Sequence, residues 1–363
     1  MLAYETSFAN FHDRLAIAWH GGDVAHDAIY LRLTDAHARP EESLLALTDG
    51  MRHAYEPDVQ VFGDSLLVAW YEKDDKGALT AMLGCFAPNG TRRWQIALSG
   101  SAYQGRNPVV RTWNNEILVA WLQAPRITEG TPASNEVWAT RLDAQGVLLQ
   151  PALKAGDAST DTWNLNAAVD DRGVFHVVYD AQLEQRAHEL QALEIGLEGS
   201  AHYTLSDDDG HASLYPDIAI AGEQVAVTWF DQRDGHPQVY LHVGTLADLH
   251  GPFAADKQLR VTHSPGAATG AYVAWNAARV GLAWCDDSGG TTQVYAQQFD
   301  ARGSPLQPIQ QLTHTAAQAF IPAIHPWGDG FALTWNEYLG IRQTAGHSAT
   351  RSSVARLAIL SAP

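Results

Sequence analysis

Residues 65–70 read Ser65-Leu66-Leu67-Val68-Ala69-Trp70, an apolar run closed by a tryptophan. The same figure returns at 15–19 (LAIAW), 117–121 (ILVAW), 225–229 (VAVTW), 280–284 (VGLAW) and 331–335 (FALTW). A seventh copy, 174–180 (VFHVVYD), carries Val178 where the others have Trp. The positions 19, 70, 121, 178, 229, 284 and 335 stand 51, 51, 57, 51, 55 and 51 residues apart. Self-similarity at a period of about fifty residues is the mark of a repeat architecture and decides the fold class.

Within the unit around Trp70, Tyr55-Glu56-Pro57-Asp58 leads into VQVF, and Gly63-Asp64 turns the chain. After the tryptophan comes a polar loop, 72–76, then the run ALTAMLGCF, a turn at Pro88-Asn89-Gly90, and RWQIALS. Four short apolar runs punctuated by Gly, Asn, Asp and Pro spell a β-meander. Other units agree: AIYLRL, VWATRLD, VYLHV, VYAQQFD and VARLAI fill the third place. Four-stranded units repeated around an axis predict an all-β chain, a seven-bladed β-propeller of four-stranded antiparallel blades, which leaves only short protected edges. Residues 1–363 are expected to form that single domain. Each Trp is expected to pack between neighbouring blades. Two places depart from the pattern. The segment 181–193 has the best helical periodicity in the chain, and the last unit ends at Pro363 without an obvious fourth strand.

Composition narrows the partners. The net charge is −18, from 41 acids against 23 bases, with no basic run, so nucleic acid is not an expected partner. No stretch has the roughly 20 apolar residues that span a bilayer, and no basic amphipathic helix suggests a membrane surface. The first residues, MLAYETSFANFHDR, show no secretory pattern, which slightly favours a cytoplasmic setting. Cys85 and Cys285 lie in different blades and predict no disulfide. A monomer without cofactor is expected. So is a chain without metal: the sixteen His are scattered, and Asp207-Asp208-Asp209-Gly210 reads as an acidic turn.

Meander topology puts the starts of the first strands and the loops after the second strands on one face. Fifteen and fourteen residues before each Trp (or Val178) stand Tyr4-Glu5, Tyr55-Glu56, Arg106-Asn107, Trp163-Asn164, Leu214-Tyr215, Thr269-Gly270 and Phe320-Ile321. Five units supply aromatic, acidic, amide and cationic groups, and two supply small or apolar ones. Such uneven chemistry suits a sugar, which offers both C–H faces and hydroxyls; packing and capping of the strand starts is the alternative. Two residues after each Trp stand Gly21, Glu72, Gln123, Asp180, Asp231, Asp286 and Glu337, five acids in seven. Acids here fit either general acid–base work on a glycosidic bond or the capping of loop amides. The long loops 122–135 and 336–352 bring Arg126, Arg342 and His347 to the same face, and His53 and His211 sit upstream of first strands. The candidate catalytic residues are Glu56, Glu72, Asp231, Tyr215 and His53. The candidate substrate-binding residues are Tyr4, Glu5, Tyr55, Arg106, Asn107, Trp163, Asn164 and Arg342.

The unit 215–241, YPDIAIAGEQVAVTWFDQRDGHPQVYL, resembles those of the sialidase-like (Asp-box) propeller superfamily, its bacterial members included. Aligned on Gly90, the stretch 85–94, CFAPNGTRRW, is similar to an Asp box (Ser-x-Asp-x-Gly-x-Thr-Trp). Phe86 and Pro88 fill its Ser and Asp places, and Trp94 comes one residue late. The resemblance implies a propeller that binds or cleaves a glycan as a glycoside hydrolase or polysaccharide lyase. A non-catalytic interaction or glycan-binding scaffold is the competing expectation. True sialidases carry an Arg-Ile-Pro near the start and three arginines that clamp a carboxylate. Here the first strand begins Tyr4-Glu5-Thr6, and Phe320-Ile321-Pro322 lacks the Arg. Sialidase activity itself is therefore not expected.

Overall fold

A computed structural model of the chain describes residues 3–22, 27–126, 134–155, 161–182, 186–196, 199–342 and 350–363. Seven antiparallel sheets follow one another, each a meander of neighbouring strands, and they are the blades of a β-propeller. Blade 2 is typical: His53–Phe62, Ser65–Lys73, Leu79–Phe86 and Arg92–Ala97 pair in that order. Among the described residues blades 1 to 6 have four strands and blade 7 has three, Ala319–Trp327, Gly330–Arg342 and Thr350–Leu360. The segment expected to be helical is not. Its residues fall in the strands Phe175–Gln182 and His188–Ile195, which pair directly from Phe175 opposite Ile195 to Gln182 opposite His188. Pairing and burial on a sheet override a weak local helical period. Among the described residues the helical segments are two short 3-10 turns in blade 5, Leu246–His250 and Ala255–Lys257.

The chain divides into two compact units. One is Met1–Ala133 with Trp138–Leu153 and Asn336–Arg356; the other is Ser134–Val137 with Lys154–Trp335 and Leu357–Pro363. In each, the repeated tryptophan packs between adjacent blades. Trp70 is buried with Phe11, Ile29 and Leu31 of blade 1, and Trp121 with Leu67, Leu83 and Cys85 of blade 2. In the second unit Trp229 buries against Val178 and Leu190 of blade 4, and Trp284 against Val239 and Leu241 of blade 5. An indole of this kind removes roughly 200 Å² from water, worth about 5 kcal/mol at 25 cal/mol per Å². Cys85 and Cys285 are both buried free thiols.

Polar staples supplement this packing. The Asp58 carboxylate, on the first strand of blade 2, accepts from Ser7 Oγ of blade 1 at 3.2 Å. It also accepts from Val110 N and Arg111 Nη1 of blade 3, each at 2.7 Å. Asp217 in the other unit repeats the device, accepting from Val273 N at 2.8 Å. At the N-terminus, Ala3 N donates to Ser353 O at 3.2 Å, and Asn336 Nδ2 donates to Ala3 O at 2.7 Å. Charged hydrogen bonds that join three blades contribute more than surface ion pairs do. Asp58→Ala is therefore expected to lower stability by about 2–4 kcal/mol in urea unfolding, because it takes away the carboxylate that accepts from Arg111 and from the Val110 amide.

Candidate active site

In six of the seven blades, all but blade 4 with Asn164, the second residue of the strand start stands in a conformation that sterics normally reserve for Gly or Asn. The φ values are +46° at Glu5, +49° at Glu56, +48° at Asn107, +53° at Tyr215, +59° at Gly270 and +51° at Ile321. In the five sheets where the pairing is resolved around this residue, the ladder slips there by one position. Pro57, Pro108 and Pro216 follow within the slip, where the missing N–H costs no ladder bond. This β-bulge re-aims the side chains around it. Its recurrence in blades of unlike chemistry makes the bulge architectural. Placing Glu in it twice, where Asn or Gly fits at lower cost, is not required by the architecture.

The slip changes which residues face one another. Tyr55 lies opposite Tyr71 and not Glu72, Tyr4 opposite His20, and Arg106 opposite Leu122. The residue directly after the Trp is therefore the neighbour of the strand start, and two groups absent from the sequence candidates, Tyr71 and His20, join the site.

In the first unit these elements gather Glu5, Glu56, Tyr71, His20, Tyr4, Tyr55 and Arg106. Tyr71 Oη donates to Glu56 Oε1 at 3.3 Å. Glu5 Oε2 lies 3.4 Å from His20 Nδ1, and the Glu56 amide donates to the same nitrogen at 3.4 Å. Aromatic rings enclose the carboxyls: Tyr4 stacks on His20 with centroids 5.4 Å apart, and Tyr55 meets His20 and Tyr71 at 5.3 Å each. Both glutamates, Tyr71 and Arg106 are half-buried. Among the described residues Arg106 Nε is buried without a hydrogen-bond partner.

Electrostatics follow from this enclosure. Burial, then repulsion from Glu56, pushes the Glu5 carboxyl up to about 8. Burial also pushes Glu56 up, to about 7, but the Arg106 charge and the Tyr71 hydroxyl pull against it. Glu56 therefore ionises first, and Glu5 keeps its proton longer. Burial lowers His20 to about 4, so its ring is neutral and Nδ1 is available as an acceptor. Tyr71 is held well above the usual phenol range by burial and the two glutamates, which fixes it as a proton donor.

The remaining candidates lie elsewhere. Glu72 accepts from Trp70 Nε1 at 3.1 Å, lies 3.6 Å from Arg52, and lines a polar groove with Asp49, Arg92 and Gln95. Asp231 receives Trp229 Nε1 at 3.1 Å, Ser213 Oγ at 2.8 Å and Arg233 Nη2 at 2.6 Å. Gln123 serves Trp121 in the same way at 3.0 Å. In these three blades the residue two places after the Trp is the acceptor for its indole. His53 Nδ1 is 3.5 Å from Asp27, and its ring stacks on Tyr55 at 5.9 Å. Asn107 occupies the bulge of blade 3 beside Arg106. Trp163, Asn164 and Tyr215 belong to the second unit, where their backbone amides all donate to Asp180. Arg342 ends the strand Gly330–Arg342, and its side chain lies outside the described residues, as does His347.

The architecture is shared with solved structures at very low identity. The β-propeller domain of the Trilobed protease from Pyrococcus furiosus matches with a TM-score of 0.53 at 8% identity, over 99% of this chain and 98% of that one. A Hadza microbial sialidase matches at 0.52 and 11%, over 90% of this chain and 73% of that one. A phage phi92 endosialidase matches at 0.51 and 11%, over 99% and 68%. No family model matches the sequence, and neither does any curated protein. These likenesses establish the propeller fold.

The raised carboxyls bear on stability as well as chemistry. In the fold, Glu5 and Glu56 keep protons that the unfolded chain releases near the usual 4.5. Their contribution is therefore full below pH 4.5 and is lost as the pH rises through about 7 and about 8. Glu5→Gln removes the larger part of that loss. The variant is expected to melt higher than the parent at pH 9 and at the same temperature, within a degree or two, at pH 4.5; calorimetry at the two pH values measures this.

Proposed function

We propose that this propeller hydrolyses a glycosidic bond at the Glu5–Glu56 pair. The observation that carries this reading is the pair itself: two half-buried carboxyls in strained bulges, poised near neutrality and differing in environment. Two titratable groups whose surroundings separate their proton affinities are the usual basis of an acid and a base in one site. Glu5, the later to ionise, protonates the departing glycosidic oxygen as the bond to the anomeric carbon breaks. Glu56, whose ionised form Arg106 and Tyr71 favour, takes the proton of the water that adds to that carbon. Tyr4, Tyr55 and the neutral His20 form an aromatic wall for the sugar ring. Membership of the sialidase-like superfamily is part of this reading, supported by the fold likeness and the unit 215–241.

Tyr71 is held protonated and His20, lowered to about 4, is a feeble base, so Glu56 is the base of this reading, and the reaction panel separates hydrolysis from elimination.

The test is incubation with a panel of neutral and uronate-rich polysaccharides, following new reducing ends and ultraviolet absorbance together. Reducing ends without absorbance are the expected result. Absorbance would mean a lyase, and silence across the panel would favour a non-catalytic scaffold. On a cleaved substrate, Glu56→Gln is expected to lower kcat at least about 100-fold. The pH profile should be a narrow bell with limbs near 7 and 8. Tyr71→Phe removes a hydrogen bond to ionised Glu56 and should move the acidic limb upward.

A further inference from the structure

We propose that blades 4 and 5 carry a separate, non-catalytic glycan subsite, in which a neutral pyranose stacks on Trp163 and Tyr215. Trp163 is 45% exposed and Tyr215 39%, unusual for large aromatics in a fold that buries most of its rings. Both are held from beneath by one fully buried carboxylate. Asp180 Oδ1 accepts from Trp163 N at 2.8 Å and Asn164 N at 3.3 Å, while its Oδ2 accepts from Tyr215 N at 3.0 Å. Two hydrogen bonds and one carboxyl group separate the backbone amides of the two aromatics, about 8 Å at most, so the two strand starts are neighbours.

The rings are also fixed. Trp163 packs on His188 with centroids 4.3 Å apart, and its Nε1 donates to Asp161 at 3.2 Å. Tyr215 stacks on Phe230 at 5.6 Å with an interplanar angle of 20°. Rigid aromatics lose little entropy when a ligand settles on them, so their exposed area converts efficiently into affinity. A polar group able to meet sugar hydroxyls stands alongside, the half-buried Asn164 carboxamide next to Trp163 in the chain. The Asp161 carboxylate at the Trp163 indole places negative charge beside the platform, which disfavours a uronate and selects a neutral ring. The subsite does not depend on catalysis by Glu5 and Glu56.

The experiment is affinity electrophoresis of full-length Glu56→Gln, chosen so that polysaccharide is not consumed. Gels contain glucomannan, laminarin, xyloglucan or galactomannan, with polygalacturonate as the charged counterpart. At least one neutral polymer should retard the protein, and adding Trp163→Ala or Tyr215→Ala should weaken that binding about tenfold. Trp163→Phe, which keeps a ring, should retain most of it. Retardation only by polygalacturonate, by no polymer, or equally for the alanine variants would overturn the subsite. The two proposals fail separately. Binding without turnover by the parent protein removes the hydrolase reading alone, whereas turnover with unchanged binding in the alanine variants removes the subsite alone.

Discussion

In five of the seven sheets the ladder between first and second strands slips by one residue at a left-handed bulge, and the chemistry of this propeller hangs on that slip. A residue held at φ near +50° costs of order 1–3 kcal/mol when it is not glycine. Packed blades, six of the seven carrying a buried tryptophan, supply the surrounding order that makes such a cost tolerable. In return the bulge aims the strand-start side chain and brings the residue after the Trp opposite it. Blades 3 and 6 put Asn107 and Gly270 there, as backbone sterics prefer. Blades 1 and 2 put glutamates there.

Those glutamates then set one another's charge. Removing either from water disfavours its ionised form, and the two repel when both are ionised. The first charge settles on Glu56 because Arg106 and Tyr71 favour it there, whereas Glu5 faces a neutral imidazole. The asymmetry is built from three blades: Glu5 comes from one, Glu56 and its Tyr71 hydroxyl partner from the next, and Arg106 from the third. A propeller suits such a site because each blade adds one variable strand start to a fixed scaffold.

The repeat and the strand count of a typical blade were legible in the sequence, since Trp spacing and turn residues report them directly. So were Tyr4, Glu5, Tyr55, Glu56 and Arg106, whose position before the Trp is fixed by the period. Tyr71 and His20 were not. A regular hairpin places Glu72 opposite Tyr55, and only the bulge moves Tyr71 there; no residue type announces the bulge, because Glu, Asn, Tyr, Gly and Ile all occupy it. The acids two places after the Trp were conspicuous for a structural reason as well: Glu72 and Asp231 accept the indole N–H of Trp70 and Trp229. The role of Asp180 under two strand starts depends on contacts between blades, which a single sequence does not display.

The central claim is that Glu5 and Glu56 share a site in which one carboxyl stays protonated at neutral pH. Infrared difference titration of the carboxyl C=O band from pH 5 to pH 9 tests it most directly, with Glu5→Gln and Glu56→Gln alongside the parent. The account predicts carboxyl intensity surviving at pH 7 in the parent and reduced, though not abolished, in Glu5→Gln, where Glu56 at about 7 still holds part of its proton. A band that vanishes by pH 5.5 in the parent, as for ordinary exposed glutamates, would contradict it.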